Sequence, residues 1–388
     1  MFIELHMIQN FVPSNLNRDD TNNPKDCEFG GQRRARISSQ SLKRAIRYQP
    51  IFKKTTGAEL GERTRWMSHL LATPLIEAGK DKEAAQTVAD AVAAAYYSKK
   101  EKMDSKNAHR TTVLVYLSPG EVKALTPFIL ENWEAVAAAA TTEKSDKIIA
   151  KLVDPLVKET KERTSAPDIA LFGRMLADKT ELNIDAACQV SHAISTHRAT
   201  MEMDYYTAVD DLVAQGQILT DEGDEEAGAG MVGFTSFNSA CFYRYARLDW
   251  AQLVKNLGGD GALARRTVEG FLRAAIDAIP SGKQNSFAAQ NPTSLAMAVV
   301  REDGQSWNLA NAFEKAVYPR RNSGLIEPSI EALDRFWGNL SRARDDAEFK
   351  AVAVYTDQYQ DALDTLQPYR QPNLSGWIKA VNDALPQE

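Results

Sequence analysis

The chain opens on an extended segment, and the elements after it follow an order that few folds accommodate. Across residues 2–9 the side chains alternate, with Ile3, Leu5 and Met7 on one face and Glu4, His6 and Ile8 on the other. A period of two predicts a strand with one apolar and one mixed face. A helix is predicted over residues 38–49, ended by Pro50. β-rich stretches follow at about 182–197 and 231–248, then a helix near 262–279 and a polar-to-apolar strand near 283–301. Two long segments interrupt this series. Residues 58–180 are Ala-rich and mostly helical, clearest at 82–97 and 122–140, with a strand-like run at 112–117. Residues 199–230 are acidic. With both set aside the order is βαββαβ, which predicts an α+β fold built on a ferredoxin-like unit, the RRM type of sheet. Residues 306–385 read as mainly helical.

Charge is segregated along the chain. The 388 residues carry a net charge of −6, which by itself argues against a polyanionic partner. Yet residues 29–58 hold no Asp or Glu and eight cations: Arg33, Arg34, Arg36, Lys43, Arg44, Arg47, Lys53 and Lys54. Residues 199–243 hold no Lys or Arg and nine acids, among them Glu202, Asp204, Asp210 and Asp211. A mean charge says nothing about such patches, which favour partners of opposite sign at separate places.

The basic stretch carries the chemistry. Gly30-Gly31 allows positive φ and close backbone approach. A helix beginning at Ser38 or Ser39 presents its N-terminal N–H groups, which suit a phosphate. Gln40, Lys43, Arg44 and Arg47 then fall at i, i+3, i+4 and i+7, one polar face that suits a polyanion lying along the helix. A GxxxxGK[ST] loop and a GxSxG elbow are absent, and His192 and His197 lack HExxH spacing. Neither a cofactor nor a metal is therefore expected. Cys27, Cys188 and Cys241 are odd in number, far apart and without a CxxC, which fits a reducing cytoplasm. The N-terminus lacks the basic and apolar regions of a signal peptide, and no run of about 18 apolar residues suggests a membrane span.

Residues 17–47, with Asn17-Arg18-Asp19-Asp20, Lys25-Asp26 and the Phe29 to Arg47 run, resemble the CasC-type backbone subunit of the type I-E CRISPR Cascade complex, within the RAMP superfamily. The resemblance continues through Ala170-Leu171-Phe172-Gly173-Arg174-Met175, His192-Ala193-Ile194-Ser195-Thr196-His197, Asp204-Tyr205-Tyr206-Thr207-Ala208-Val209-Asp210-Asp211-Leu212, Phe242-Tyr243-Arg244-Tyr245-Ala246 and Pro280-Ser281-Gly282-Lys283-Gln284-Asn285-Ser286-Phe287-Ala288. These blocks are collinear over about residues 1–320. The resemblance implies a discontinuous RRM-like palm (1–57, 181–198 and 231–388), helical fingers (58–180) and an acidic thumb (199–230). It also implies a non-catalytic protein whose copies polymerise head to tail along a CRISPR RNA, beside other Cascade subunits, and present the spacer to target DNA.

By that resemblance Arg18, Lys25, Ser38, Gln40, Lys43, Arg44 and Arg47 contact the RNA backbone, and Arg33, Arg34 and Arg36 join them in the basic stretch. Such contacts position without reading sequence. Met175, Tyr205 and Tyr206 are expected to pack against bases, with a Tyr-Tyr pair where the family pattern suggests Trp or Phe. The acids of the thumb are expected to meet a basic surface on a neighbouring copy. The alternative is a metal-dependent endoribonuclease of the same superfamily using Asp19, Asp20 or Asp26. The surrounding Arg18, Lys25 and Arg33 to Arg36 favour salt-bridged loop structure instead.

Overall fold

The computed structural model describes all residues except 98–102, 105, 160–162, 177–178, 210, 212–214, 216–230, 346 and 388. Strand β1 (Phe2–Ser14) lies mid-sheet. The other strands of this sheet are β2 (Asp26–Phe29), β3 (Gln32–Ile37), β6 (Cys188–Val190), β7 (Ala193–Ser195), β8 (Glu202–Ala208), β9 (Met231–Asp249), β10 (Leu295–Arg301) and β11 (Ala351–Thr356). Their order is β11-β10-β1-β9-β7-β3-β2, with β6 and β8 also on β9. Every pairing is antiparallel, and Leu5 sits opposite Ala246 of β9 and Ala298 of β10.

The alternation read in residues 2–9 is the alternation of the sheet's two faces, and both are covered. Ile3, Leu5 and Met7 pack with Ile46 of α1 (Ser39–Arg47), Phe52 of α2 (Pro50–Thr56), Phe271 and Leu272 of the helix Gly261–Asp277, and Trp377 of the helix Leu374–Ala384. On the other face Ile8, Tyr243 and Met297 pack with Leu309, Phe313, Leu333 and Trp337, the last two from the helix Ile326–Ala343. Around β1 and β10 both faces of the sheet are therefore covered.

The polar residues beneath this cover are matched to one another. Glu4 pairs with Arg301 and accepts the Trp307 N–H at 2.6 Å. His6 Nδ1 meets the Tyr243 hydroxyl at 2.9 Å, and that hydroxyl also accepts the Leu309 N–H at 2.9 Å. Burial, with Arg301 adding to it, pushes His6 down to about 3, and burial raises Glu4. The 3.9 Å approach of His6 to Glu4 is thus a contact with a neutral imidazole and not an ion pair.

A second core belongs to the helical segment. Met67, Leu71 and Leu75 of α3 (Met67–Glu77) and Val88 and Val92 of α4 (Lys82–Tyr97) pack with residues of α5 (Pro119–Glu131), α6 (Trp133–Ala140) and α7 (Ser145–Glu159). A small ribbon of β4 (Glu62–Thr64) and β5 (Val115–Leu117) flanks it, and α8 (Pro167–Phe172) leads back to the sheet. Among the described residues, no helix is long and apolar enough to cross a membrane.

Several elements differ from the sequence reading. The helix expected over 122–140 is two, divided at Asn132. Pro50 does more than end a helix, since it takes the first position of α2, where its missing N–H costs nothing. The strand expected near 283–301 begins only at Leu295. Before it lies a four-residue helix, Gln284–Phe287, bracketed by Lys283 (φ 51°) and Ala288 (φ 48°). Within the C-terminal part, expected to be mainly helical, β11 adds a strand beside β10, where sheet pairing outweighs the weak β-propensity of its alanines. Between β1 and α1, β2 and β3 form a hairpin that local patterning did not reveal.

Candidate nucleic-acid interface

The hairpin and α1 sort six of the eight cations into framework and surface, while Lys53 and Lys54 lie on α2. Gly30 (φ 60°) and Gly31 (φ 69°) form the two-residue turn between β2 and β3, and positive φ at both central residues suits the twist of a hairpin. A Cβ on Gly30 would lie 2.0 Å from the Glu314 carbonyl oxygen, so the turn is pressed against that segment. Arg34, within the hairpin, is fully buried. Its guanidinium donates to five backbone carbonyls, those of Phe29, Ser195, Thr196, Phe313 and Glu314, at 2.9–3.3 Å. Arg47 is also buried: it pairs with Asp168 at 2.6 Å and donates to the Gly61 carbonyl at 2.6 Å. Asp168 accepts in addition from the Gly61 N–H and the Tyr116 hydroxyl. Both arginines were expected at the polyanion surface. In the structure both are buried, and their bonds join the hairpin to residues 313–314 and α1 to the helical segment.

What remains exposed is a set of cations without carboxylate ion-pair partners. Arg18 and Arg44 are exposed, and Lys25, Arg36 and Lys43 are partly so. Among the described residues, none of the five forms an ion pair with a carboxylate. Arg36 donates to the Asp26 carbonyl, and the Lys43 ammonium lies 5.8 Å from the Phe172 ring. Arg33 is exposed too, but it is paired with Asp26. Gln40 is exposed on the same helix. Arg18, Asn17, Ser41, Arg44 and Tyr48 help to line a cleft of about 500 Å³ closed on its far side by Pro280, Ser281 and Gly282.

The helix N-terminus is less open than expected. The Ser38 hydroxyl, mostly buried, accepts from the Ser41 N–H, as a cap does. The Ser38 N–H is taken by the Asn17 side chain at 2.8 Å, and the Ser39 N–H by His192 Nδ1 at 3.1 Å. Accepting that bond requires a neutral Nδ1, and burial, with Arg36 and Lys25 adding to it, lowers the His192 pKa. Nothing in the sequence ties His192 to this cap across so long a separation.

Met175 stands 88% exposed, directly after an anchored arginine. Arg174 is buried, pairs with Glu121 at 2.7 Å and donates to the Leu182 carbonyl. Its backbone bridges to Ile184, and Gly173 (φ 77°) packs where a Cβ would lie 2.8 Å from the Ile184 carbonyl oxygen. A rigid base holding a bare apolar side chain is suited to wedge or stack.

Strand β8 pairs with the first half of β9 as a ribbon at the end of the sheet, every residue of β8 exposed. Neighbouring strand residues point to opposite faces, and directly opposed residues share one. Tyr205 therefore shares a face with Met203, Thr207 and the opposed Phe234, whose ring lies 5.3 Å from its own. Tyr206 lies on the other face with Glu202 and Asp204, across from Gly233. A Cβ on Gly233 would come within 2.4 Å of the Tyr206 ring, so the glycine makes room for it. The sequence reading joined Tyr205 and Tyr206 in one role. Strand geometry puts them on opposite faces: the Tyr205 face is uncharged, whereas the Tyr206 face carries Glu202 and Asp204 beside Tyr206 and Phe237. Of the acids beyond the ribbon, Asp210 and the cluster 221–226 lie outside the described residues.

The loop acids are engaged locally. Asp19 accepts from the N–H groups of Thr21 and Asn23 and from the Thr21 hydroxyl, which hold its carboxyl below the ordinary range. Asp26 pairs with Arg33. Among the described residues, no group of three or more His, Cys, Asp or Glu side chains is placed to hold a metal.

Comparison with known proteins places the chain among CRISPR-associated (Cas) proteins. Residues 3–379 match the CT1975-like protein family, and the chain belongs to that family. It is similar, with a TM-score of 0.81 and 32% identity over 99% of this chain and 100% of the other, to a chain of a "CRISPR RNA-guided surveillance complex, pre-nicking". A chain of a second "CRISPR RNA-guided surveillance complex" matches with a TM-score of 0.74 and 27% identity, again over 99% and 100%. No curated protein matches the chain significantly.

Proposed function

We propose that this protein is a CasC-type backbone subunit of a type I-E Cascade, a non-catalytic protein whose copies assemble head to tail along one CRISPR RNA and present its spacer to target DNA. The observation that carries the reading is the row of Arg18, Lys25, Arg36, Lys43 and Arg44, exposed or partly so and without a carboxylate partner. A row of that kind grips successive phosphates and ignores sequence, as a subunit that accepts any spacer must. The sheet order β10-β1-β9-β7, all antiparallel, supports an RRM-like palm, with the helical core as fingers and the β8–β9 ribbon as thumb. With its face covered, such a palm would grip RNA through the α1 side and not through sheet aromatics. Met175 and the Tyr205–Phe234 face supply apolar surfaces for bases. The Glu202–Asp204 face is left for a basic surface of the next copy, a heterologous contact that extends a filament.

The test is RNA retention by the Lys43→Ala, Arg44→Ala double variant across a salt series. Loss of two phosphate contacts to single-stranded RNA should flatten the slope of log K against log salt by about 1.4, and weaken all sequences alike. An unchanged slope and affinity would remove α1 from the RNA path.

A further inference from the structure

Helix α1 ends on an aromatic residue that the phosphate row does not explain. Tyr48 caps α1, with its N–H bonded to the Arg44 carbonyl at 3.2 Å, and its side chain is 61% exposed. The guanidinium carbons of Arg44 and Arg47 lie 4.7 and 5.2 Å from the ring centroid. Arg47 is pinned by Asp168 and the Gly61 carbonyl, so one neighbour of the ring cannot move. Arg44 has no carboxylate partner among the described residues, so the other can. The ring also divides two clefts of about 500 Å³ each. Arg18, Arg44 and Asp19 help to line one; Lys53 and Arg63 help to line the other, with Glu62 and with Glu59, which is paired with Lys123.

We propose that Tyr48 is a stacking platform for one base of the bound RNA. In the free protein the Arg44 guanidinium rests on the ring, a cation–π contact that keeps both groups ordered. When RNA binds, Arg44 turns to a phosphate and a base takes its place against the ring. The strand then passes from one cleft to the other over Tyr48. Every base offers a π-face, so this contact adds affinity without sequence preference. The carboxylate in the first cleft, Asp19, accepts from Thr21 and Asn23 through Oδ1, and among the described residues it forms no ion pair with Arg44.

The inference rests on the RNA-binding reading of α1, and the experiment separates the two. Labelled single-stranded RNA is titrated by anisotropy across a salt series with wild type, Tyr48→Phe, Tyr48→Leu, Tyr48→Ala and Arg44→Ala. Tyr48→Phe should bind as wild type. Tyr48→Leu and Tyr48→Ala should lose about 5- to 150-fold in affinity, the range for one base–aromatic stack, with an unchanged salt slope because no phosphate contact is lost. Arg44→Ala should flatten the slope by about 0.7. If Arg44→Ala weakens binding while Tyr48→Leu and Tyr48→Ala stay within about two-fold of wild type, the stacking inference falls alone. A Tyr48→Leu loss accompanied by a flatter slope would make Tyr48 a positioning residue for Arg44 and also overturn it. If Arg44→Ala changes neither affinity nor slope, the RNA-binding reading of α1 falls first.

Discussion

The basic segment around β3 and α1 and the acidic ribbon of β8 and β9 handle opposite charges in opposite ways. In the first, some cations are drawn inward: Arg34 and Arg47 bury their guanidinium groups to tie distant segments together, and their neighbours stay outside. In the ribbon nothing of β8 is buried, and the sorting is between two exposed faces, one uncharged and one carrying Glu202 and Asp204. The difference follows from surroundings. A strand and helix packed against other elements can offer carbonyls and a carboxylate to a buried charge. A lone two-stranded ribbon cannot, so it separates its side chains only by the period of the strand. Residues adjacent in sequence therefore differ in role in both places, Arg34 from Arg33 and Tyr205 from Tyr206.

The largest effect should come from the buried arginines. Arg47→Ala leaves Asp168 buried without its cation, a loss of about 3–5 kcal/mol in urea unfolding. Arg34→Ala should be similarly severe, since its carbonyl partners lose their donors. Variants of Arg44, by contrast, should unfold as wild type and differ only in RNA binding. Equal destabilisation by Arg44→Ala and Arg47→Ala would erase the division between framework and surface.

The ribbon gives the next effect. Tyr205→Ala should weaken RNA binding by about 1–3 kcal/mol if its face stacks on a base, measured by anisotropy. Tyr206→Ala should leave single-subunit binding near wild type. Equal losses from the two would show that both faces meet RNA and would break the comparison.

The smallest effect concerns the cap of α1. The His192 pKa is depressed in the folded protein, so its contribution is present above the ordinary histidine value near 6.5 and is lost as the pH falls through the lower folded value. Amide exchange at Ser39, corrected for intrinsic rate, should quicken over that fall, and His192→Ala should remove the pH dependence. A pH-independent Ser39 amide in the wild type would show that His192 does not hold the cap.

How much was legible varies by element. Strand β1 could be read because its two faces differ in composition over several residues, and both long interruptions could be read from composition alone. The helix at 82–97 and the one from 261 stood out by length and period. The hairpin before α1 was missed because its stabilising partners, Glu314 and Ser195, are remote in sequence. Phe234 was not placed with Tyr205, since their pairing depends on the register of two strands separated by the acidic insertion.

Taken alone, the sequence determined the first strand, the helix after it and the two long interruptions, the position of the basic and acidic segments and the residue types available to each. Those depend on local period and composition. The tertiary structure decided which charges serve as framework and which stay exposed. A guanidinium is withdrawn from water only where acceptors wait for it, and the acceptors of Arg47 and Arg34 come from Gly61, Asp168, Ser195 and Phe313, brought near by folding and not by spacing.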